Sequence, residues 1–294
     1  MAPSSPSYLK FWGTRGSIPV AGLDYCRYGG NTSCLEIRHD NSLVIIDAGT
    51  GIRPLGNEVM ASGIDEIHLF IGHTHWDHII GFPFFAPVYD SSKTIHIYAA
   101  KGGSGNIEEL FSGMLEQDFF PVNLDDMRAK FCFHELEGRS ETIGDIEVNY
   151  TQANHPGATL CFRIKCCEHD IGYATDNEFL QGFCGHPKEV SEELLKPYQP
   201  IVDFFKGCST LIHEAQYSPE EYATKIGWGH SSIYNVALMA DLCGAQEWII
   251  THHDPDDNDT AVLQKRDMNK KIRQECNISC RSSMAYDGLI LPLN

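Results

Sequence analysis

Short apolar runs separated by turn residues dominate the first half of the chain. YLKFWG, CLEIRH, SLVIID, EIHLFIG and TIHIYA are rich in β-branched and aromatic side chains, and each predicts a strand. Two stretches carry helical spacing instead: GIRPLGNEVMAS, just after Asp47, and GNIEELFSGML. Strand character returns between Phe131 and Cys166, in FCFHEL, IEVNYTQA and TLCFRIK. The second half alternates. SEELLKPYQPIVDFFKG predicts a helix broken at Pro197 and Pro200. STLIHEA predicts a strand, and SSIYNVALMADLCG a helix capped by Ser231 or Ser232 and ended by Gly244. EWIITHH, AVLQKRDMNKKIRQE and MAYDGLILPL then predict strand, helix and a last strand. Strands mixed with helices at both ends imply an α/β fold of two sheets with helices outside. No Pro/Gly/Ser linker is long enough to divide the chain, so residues 1–294 read as one domain with residues 1–7 as a flexible tail.

Composition narrows the class. At 42% hydrophobic and 21% charged residues the chain is of ordinary globular type. No apolar run approaches the roughly 18 residues that would span a membrane, and the start lacks the basic and apolar regions of a signal peptide. The eleven cysteines form no CxxC pair; Cys166 and Cys167 are adjacent, and Cys276 and Cys280 are four apart. Most read as reduced core residues, which with the start of the chain implies a cytoplasmic protein. The net charge of −18 disfavours a grip on many phosphates of an extended nucleic acid. Bound divalent cations would reverse that potential locally.

The densest chemistry lies in GHTHWDHIIG, Gly72 to Gly81. His73 and His75 differ by two, so on an extended strand end they point the same way. Asp77 and His78 start a loop or first helical turn and aim at a second, nearby point. Imidazole with carboxylate suits zinc, and also manganese or iron. A purely structural zinc would lean on cysteine and close its coordination sphere. One tetrahedral ion needs fewer ligands than this run and its partners supply, whereas two adjacent ions need them all.

HxHxDH at a strand end resembles the metallo-β-lactamase superfamily, whose fold is an αββα sandwich with metals at one sheet edge. ANHPGATLCFRI, with His155, is similar to the third ligand motif of the ribonuclease Z branch. GYATDNE places Asp176 where the family has a bridging aspartate. In IITHHDP, His252 matches the final ligand better than His253 by its place after the hydrophobic run. The resemblance implies two divalent ions, Zn2+ with Mn2+ or Fe2+ as alternatives. His73, His75 and His155 would hold one, Asp77, His78 and His252 the other, and Asp176 would bridge. Asp47 in IIDAGTG resembles a buried aspartate beneath the metals. LIHEAQY and GWGHSS resemble the HEAT and HST motifs of ribonuclease Z-like and cyclic-nucleotide phosphodiesterases. By that likeness His230 is the general acid, Glu214 its supporting partner, and His213 structural; Asp77 joins them in the catalytic set. Gln216 departs from the threonine of the pattern. In the opening segment, GTRGSIP through YGGNTSC, Arg15 is placed to meet a phosphate and Asn31 or Thr32 to line the pocket.

These parts point to a dinuclear phosphodiesterase acting on a small nucleotide, foremost a 3′,5′-cyclic one, by hydroxide attack in line with protonation of the leaving oxygen by His230. Residues 101–130 read as a helix and lid rather than an RNA-gripping arm, with Phe119, Phe120 and Tyr89 available to stack on a base. The alternatives are RNA 3′-end processing of ribonuclease Z type, a thioester or lactone hydrolase, and a non-catalytic metal-binding sensor. A homodimer is expected, and no membrane partner. The acidic run DPDDND, Asp254 to Asp259, reads as a solvated loop.

Overall fold

The computed structural model of the protein describes residues 7–101, 106–116, 118, 120–138 and 140–293. Phe119 and most of the expected tail lie outside them. Two seven-stranded sheets carry the architecture. The first contains β1 (Tyr8–Gly13), β2 (Cys34–His39), β3 (Ser42–Ile46), β4 (Glu66–Ile71), β5 (Thr94–Ala100) and β6 (Lys130–Leu136) in sequence order. The second contains β7 (Ser140–Ile143), β8 (Ile146–Gln152), β9 (Leu160–Cys166), β10 (His169–Ala174), β11 (Thr210–Glu214), β12 (Glu247–Thr251) and β13 (Arg281–Met284). A short β14 (Ile290–Pro292) returns to pair with β1 and completes the first sheet.

Inner faces meet in one apolar layer, where Phe11, Ile37, Val44 and Phe70 oppose Val148, Phe162, Ile164 and Ile249. Helices α1 (Ile52–Ser62) and α3 (Ile107–Met114) cover the outer face of the first sheet through Leu55, Val59 and Phe111. Three helices cover the second: α5 (Gln199–Phe205), α7 (Ile233–Leu242) and α8 (Asp259–Cys276), packed around the fully buried Trp248. The order is helix, sheet, sheet, helix: the αββα sandwich. Central strands such as β3 and β4 read as near-continuous apolar runs because both of their faces are covered. The remaining short helices are α2 (Trp76–Ile79), α4 (Glu192–Leu195) and α6 (Pro219–Tyr222). Among the described residues no helix is long and apolar enough to cross a membrane.

Parallel pairing sets the location of the site. β3 and β4 run parallel in one sheet, and β10, β11 and β12 run parallel in the other. Their C-terminal ends deliver Asp47, the His73–His78 run, Asp176, Glu214 and His252 to one edge of the sandwich, as open α/β sheets deliver their ligand-binding loops.

Three local readings change. The expected last strand, MAYDGLILPL, shortens to β14: β13 ends at its first residue, Met284, and extends the second sheet, and a turn through Asp287 and Gly288 (φ +94°) carries the chain across to β14. β7, SETI, carried too weak an apolar signal to be read and forms because β8 offers it an edge. The acidic run is a packed joint rather than a solvated loop. The Asp257 carboxylate accepts from buried Lys265, Asn258 caps α8 through the N–H groups of Thr260 and Ala261, and Asp259 accepts from the N–H groups of Arg27 and Tyr28. Burial raises Asp257 to about 6.

Lys265 also donates to the Gln216 carbonyl and pairs with Glu221 at 3.3 Å, so one buried ammonium ties α8 to the segment after β11. Lys265→Ala strands Asp257 without its partner and is expected to cost about 3–5 kcal/mol, read as a lowered urea midpoint with an unchanged slope.

Candidate metal centre

β4 ends at Ile71, and the next residues split their geometry as their spacing predicts. His75 has extended backbone (φ −66°, ψ 152°) and is the N-cap of α2, so His73 and His75 leave on extended chain and Asp77 and His78 on a helical turn. The first group is His73, His75 and His155. Its ligand atoms lie within 4.8 Å of one another, as do those of the second, Asp77, His78 and His252. Asp176 stands between them. Its Oδ1 is 3.7 Å from His73 Nε2 and 4.0 Å from His155 Nε2. Its Oδ2 is 3.1 Å from His78 Nε2 and 3.6 Å from His252 Nε2. Asp77 Oδ2 sits 3.1 Å from His252 Nε2 and 3.3 Å from His78 Nε2.

The residues fit a pair of cations. Both ring nitrogens of His73 are buried without a hydrogen bond, a cost that a neutral imidazole in a packed interior does not normally bear. Donors that share a tetrahedral ion at about 2.1 Å lie about 3.4 Å apart, close to the separations around Asp176. Protonation states agree for the two carboxylates and His73, whereas, against its burial, Asp77, Asp176 and Asp47 hold His78 well above the ordinary histidine value, a proton that a bound cation would replace. Burial raises Asp77 and Asp176, but the imidazoles of His78 and His252 outweigh it and hold both carboxyls well below the usual range. Burial, followed by His78, keeps His73 well below the ordinary histidine value. Ionised carboxylates and neutral imidazoles are the forms that bind metal.

Each ligand is oriented from behind. Asp47, in left-handed backbone (φ +67°), places Oδ2 2.8 Å from His78 Nδ1 and accepts the Gly72 N–H on Oδ1 at 2.8 Å. That turns His78 Nε2 to the site, the usual work of a carboxylate behind a ligating histidine. His155 Nδ1–H donates to the Gly229 carbonyl at 2.9 Å, which frees Nε2. Gly229 has φ +89°, and a Cβ there would come 2.0 Å from His155 Nδ1, so only glycine fits. His252 is also left-handed (φ +55°) and packs on Gly16, where a Cβ would lie 2.4 Å from the ring. The fallback ligand, His253, is turned away: its Nε2–H donates to the Ala285 carbonyl at 2.9 Å, and its ring meets the Tyr28 ring edge-on.

His230 joins the same edge, with Nδ1 3.9 Å from Asp176 Oδ1 and its ring stacked on His252 at 5.2 Å. Burial pushes it down to about 3. The expected contact with Glu214 is corrected. Glu214 accepts the Ser231 N–H at 2.6 Å and the Gln216 N–H at 2.8 Å, so its carboxylate clamps the backbone beside His230 and does not touch the imidazole. The 227–232 loop needs such clamps because its own backbone is irregular. Glu178, which the sequence reading missed, accepts the N–H groups of Gly227 and Gly229 and the Tyr222 hydroxyl. His213 is structural: Nδ1–H donates to the Glu214 carbonyl, Nε2 accepts from Asn177, and burial lowers it to about 4.

The substrate-binding expectations are corrected too. Arg15 is fully buried and donates to the carbonyls of Gly29, Asp254 and Asp257, so it cannot meet a phosphate. Thr32 is buried and exchanges hydrogen bonds with Thr50, whose hydroxyl also donates to Asn31 Oδ1. These three hold the loops under the site. The metal-side cavity, about 490 Å³, is lined instead by Ser17, Thr74, His75, Trp76, Asp77, Asp176 and His230. Ser17, left-handed at φ +63°, donates its backbone N–H to Asp77 Oδ2 at 2.7 Å. A backbone contribution leaves no signal in residue type. Trp76 did leave one: a large aromatic inside the ligand motif, 73% exposed. It forms the wall between that cavity and an apolar slot of about 540 Å³, which Ile80, Phe84, Leu110, Met114 and Phe120 also line. Tyr89 is not in the slot; its hydroxyl donates to the Pro83 carbonyl.

Comparison with known proteins agrees with this geometry. The family model described as beta-lactamase superfamily domain matches residues 43–253. The chain belongs to that superfamily, and its His/Asp cluster is that of a metal-dependent hydrolase. Ribonuclease Z of Haloarcula marismortui is 21% identical over 281 residues, covering 83% of this chain and 85% of that one. Ribonuclease Z of Shouchella clausii is 23% identical over 287 residues, covering 83% and 86%. Among solved structures, the metallo-beta-lactamase fold protein YhfI from Bacillus subtilis superposes with a TM-score of 0.69 at 18% identity, covering 98% of this chain and 99% of that one. Unliganded yeast PDE1 gives 0.64 at 16%, covering 98% of this chain and 99% of that one.

Asp47→Ala removes the acceptor behind His78 without touching a ligand. Metal affinity, measured by competition with a chromophoric chelator, is expected to fall about 10–100-fold. An unchanged affinity would mean that Asp47 does not orient His78.

Proposed function

We propose that this superfamily member is a metal-dependent phosphodiesterase, with RNA near a 3′ end as the substrate that its relatives favour. The observation that carries the phosphodiester reading is His230. It stands at the cavity wall beside Asp176, on a loop that two buried carboxylates hold in place. The thiolate of a thioester leaves without such a group, whereas an alkoxide leaving from phosphorus needs a proton.

The chain's own residues divide the work. His73, His75 and His155, with Asp77, His78 and His252 and the shared Asp176, would hold two ions, which would supply an activated water and balance charge on the phosphoryl oxygens. Asp77, steadied by the Ser17 N–H, stays ionised at the cavity floor. His230 is neutral at rest because burial outweighs Asp176. An anionic phosphodiester in the cavity raises the imidazole pKa, so the proton arrives where it is used. Trp76 offers an exposed ring face to a base next to the scissile bond.

Two supports bear on substrate size. The curated relatives are ribonuclease Z proteins, which favours RNA. The apolar slot beside Trp76 has the volume of a small-molecule site, and the net charge of −18 suits a short substrate better than a long polyanion. The second reading is therefore a small nucleotide, including 3′,5′-cyclic ones.

His230→Ala is expected to lower turnover about 10²–10⁴-fold on a phosphodiester with an alkoxide leaving group. On one with a nitrophenolate leaving group it should change little, at equal metal content. Equal losses on both would remove the proton-donor role.

Metal-loaded protein should release a 3′ trailer from a precursor RNA, resolved on a sequencing gel. Release of nucleoside monophosphate from cyclic nucleotides, without RNA cleavage, would select the second reading. In either case Trp76→Ala should raise KM by the equivalent of about 1–3 kcal/mol if a base stacks there. Turnover of a thioester alone would overturn both.

A further inference from the structure

The catalytic centre makes no use of a second group of metal-ligand side chains, at the opposite edge of the sandwich. His39 is the last residue of β2 in the first sheet. Cys166 is the last residue of β9 in the second, and Cys167 follows in the β9–β10 turn with left-handed backbone (φ +53°). Strands β3 and β10 both start at this edge and finish beside the catalytic ligands, so about five residues of strand, roughly 17 Å, separate the two places.

We propose that His39, Cys166 and Cys167 form a distinct structural site for one zinc-like cation that clasps the two sheets together. Their ligand atoms lie within 4.8 Å of one another. Cys166 Sγ and Cys167 Sγ are 3.9 Å apart, and Cys167 Sγ is 3.5 Å from His39 Nδ1. A tetrahedral zinc with Zn–S near 2.3 Å and Zn–N near 2.0–2.1 Å sets its ligands about 3.8 Å (S to S) and about 3.6 Å (S to N) apart. Two edges of that tetrahedron are thus in place, and the third, from Cys166 Sγ to the His39 ring, lies within 4.8 Å and closes by a small turn of either side chain.

The surroundings match a ligating histidine. His39 Nε2 lies 3.9 Å from Asp40 Oδ2 and 3.9 Å from Asp145 Oδ2, outside hydrogen-bond reach but near enough for their charge to favour a proton on that nitrogen and leave Nδ1 toward the cysteines. Ser7 Oγ is 2.6 Å from the same Nδ1, and ligation replaces that contact; this hydroxyl or a water takes the fourth position. Burial, followed by Cys167, pushes the Cys166 thiol up to about 12, so without a cation that thiol stays protonated near neutrality. Binding one divalent ion releases two protons, one from each thiol, and no electrons move. Affinity therefore climbs steeply with pH.

Cobalt substitution tests this directly, because the proposed catalytic ligands include no sulfur. Cobalt-loaded protein should show a near-ultraviolet thiolate-to-cobalt charge-transfer band. Cys167→Ser and, separately, His39→Gln should weaken or abolish it, bind one equivalent of metal fewer, and retain hydrolytic activity. Cys167 is exposed, so its serine variant tests the site without disturbing the core. The wild-type protein should also gain thermal stability on addition of zinc after the catalytic pair is filled, and the variants should not. Absence of the band in wild type, a band unchanged in both variants, or thiol titration showing Cys166 and Cys167 joined as a disulfide would each overturn the proposal.

Discussion

A carboxylate buried in protein stays ionised only if opposite charge or hydrogen-bond donors surround it, and the position of Asp176 turns that constraint into an architecture. One of its oxygens faces His73 and His155, the other His78 and His252. Four imidazoles gathered round one carboxylate, with both buried nitrogens of His73 lacking a hydrogen bond, fit a site for cations. The parallel strands that end at this edge, the left-handed residues 47 and 252, and the glycines at 16 and 229 make that gathering possible.

The same principle operates one layer out, with backbone N–H groups in place of metal. Glu178 and Glu214 each accept two N–H groups around His230, and Asp287 accepts those of Gly30 and Asn31 in the opening loop. Loops that carry functional side chains lack regular partners for their backbone, and buried carboxylates supply them. Part of the chain's acidity thus sits inside the loops rather than on the surface. Net charge is for that reason a weaker guide to substrate here than it first reads, which tempers the argument from −18 against RNA.

Position beside the metals, not acidity alone, distinguishes the candidate chemistry. The metal cavity and the apolar slot share Thr74 and Trp76, so a substrate can set its reacting group at the ligands and an apolar or aromatic portion in the slot. His230 rests on the metal-side wall of that arrangement. Burial lowers its imidazole pKa to about 3.

The HxHxDH run and most strands were legible along the chain because both depend on short-range order, whereas His155, Asp176 and His252 were reached through the resemblance. His73, His75, Asp77 and His78 are separated by one or two residues, and an alternating strand declares itself within six. The αββα arrangement followed from the resemblance those motifs carry. What remained hidden depended on partners distant in sequence. Arg15 reads as a phosphate ligand until the fold wraps it in carbonyls from residues 29, 254 and 257. Glu214 reads as a partner of the His230 ring until its oxygens are found on backbone N–H groups. The choice of His252 over His253 turned on which imidazole the left-handed backbone points inward. Cys166 and Cys167 meet His39 only because two sheets stack. Residue identity determines what chemistry is available; which groups are buried, paired or left free is decided by tertiary packing, because desolvation and hydrogen-bond satisfaction are properties of the folded surroundings and not of the residue.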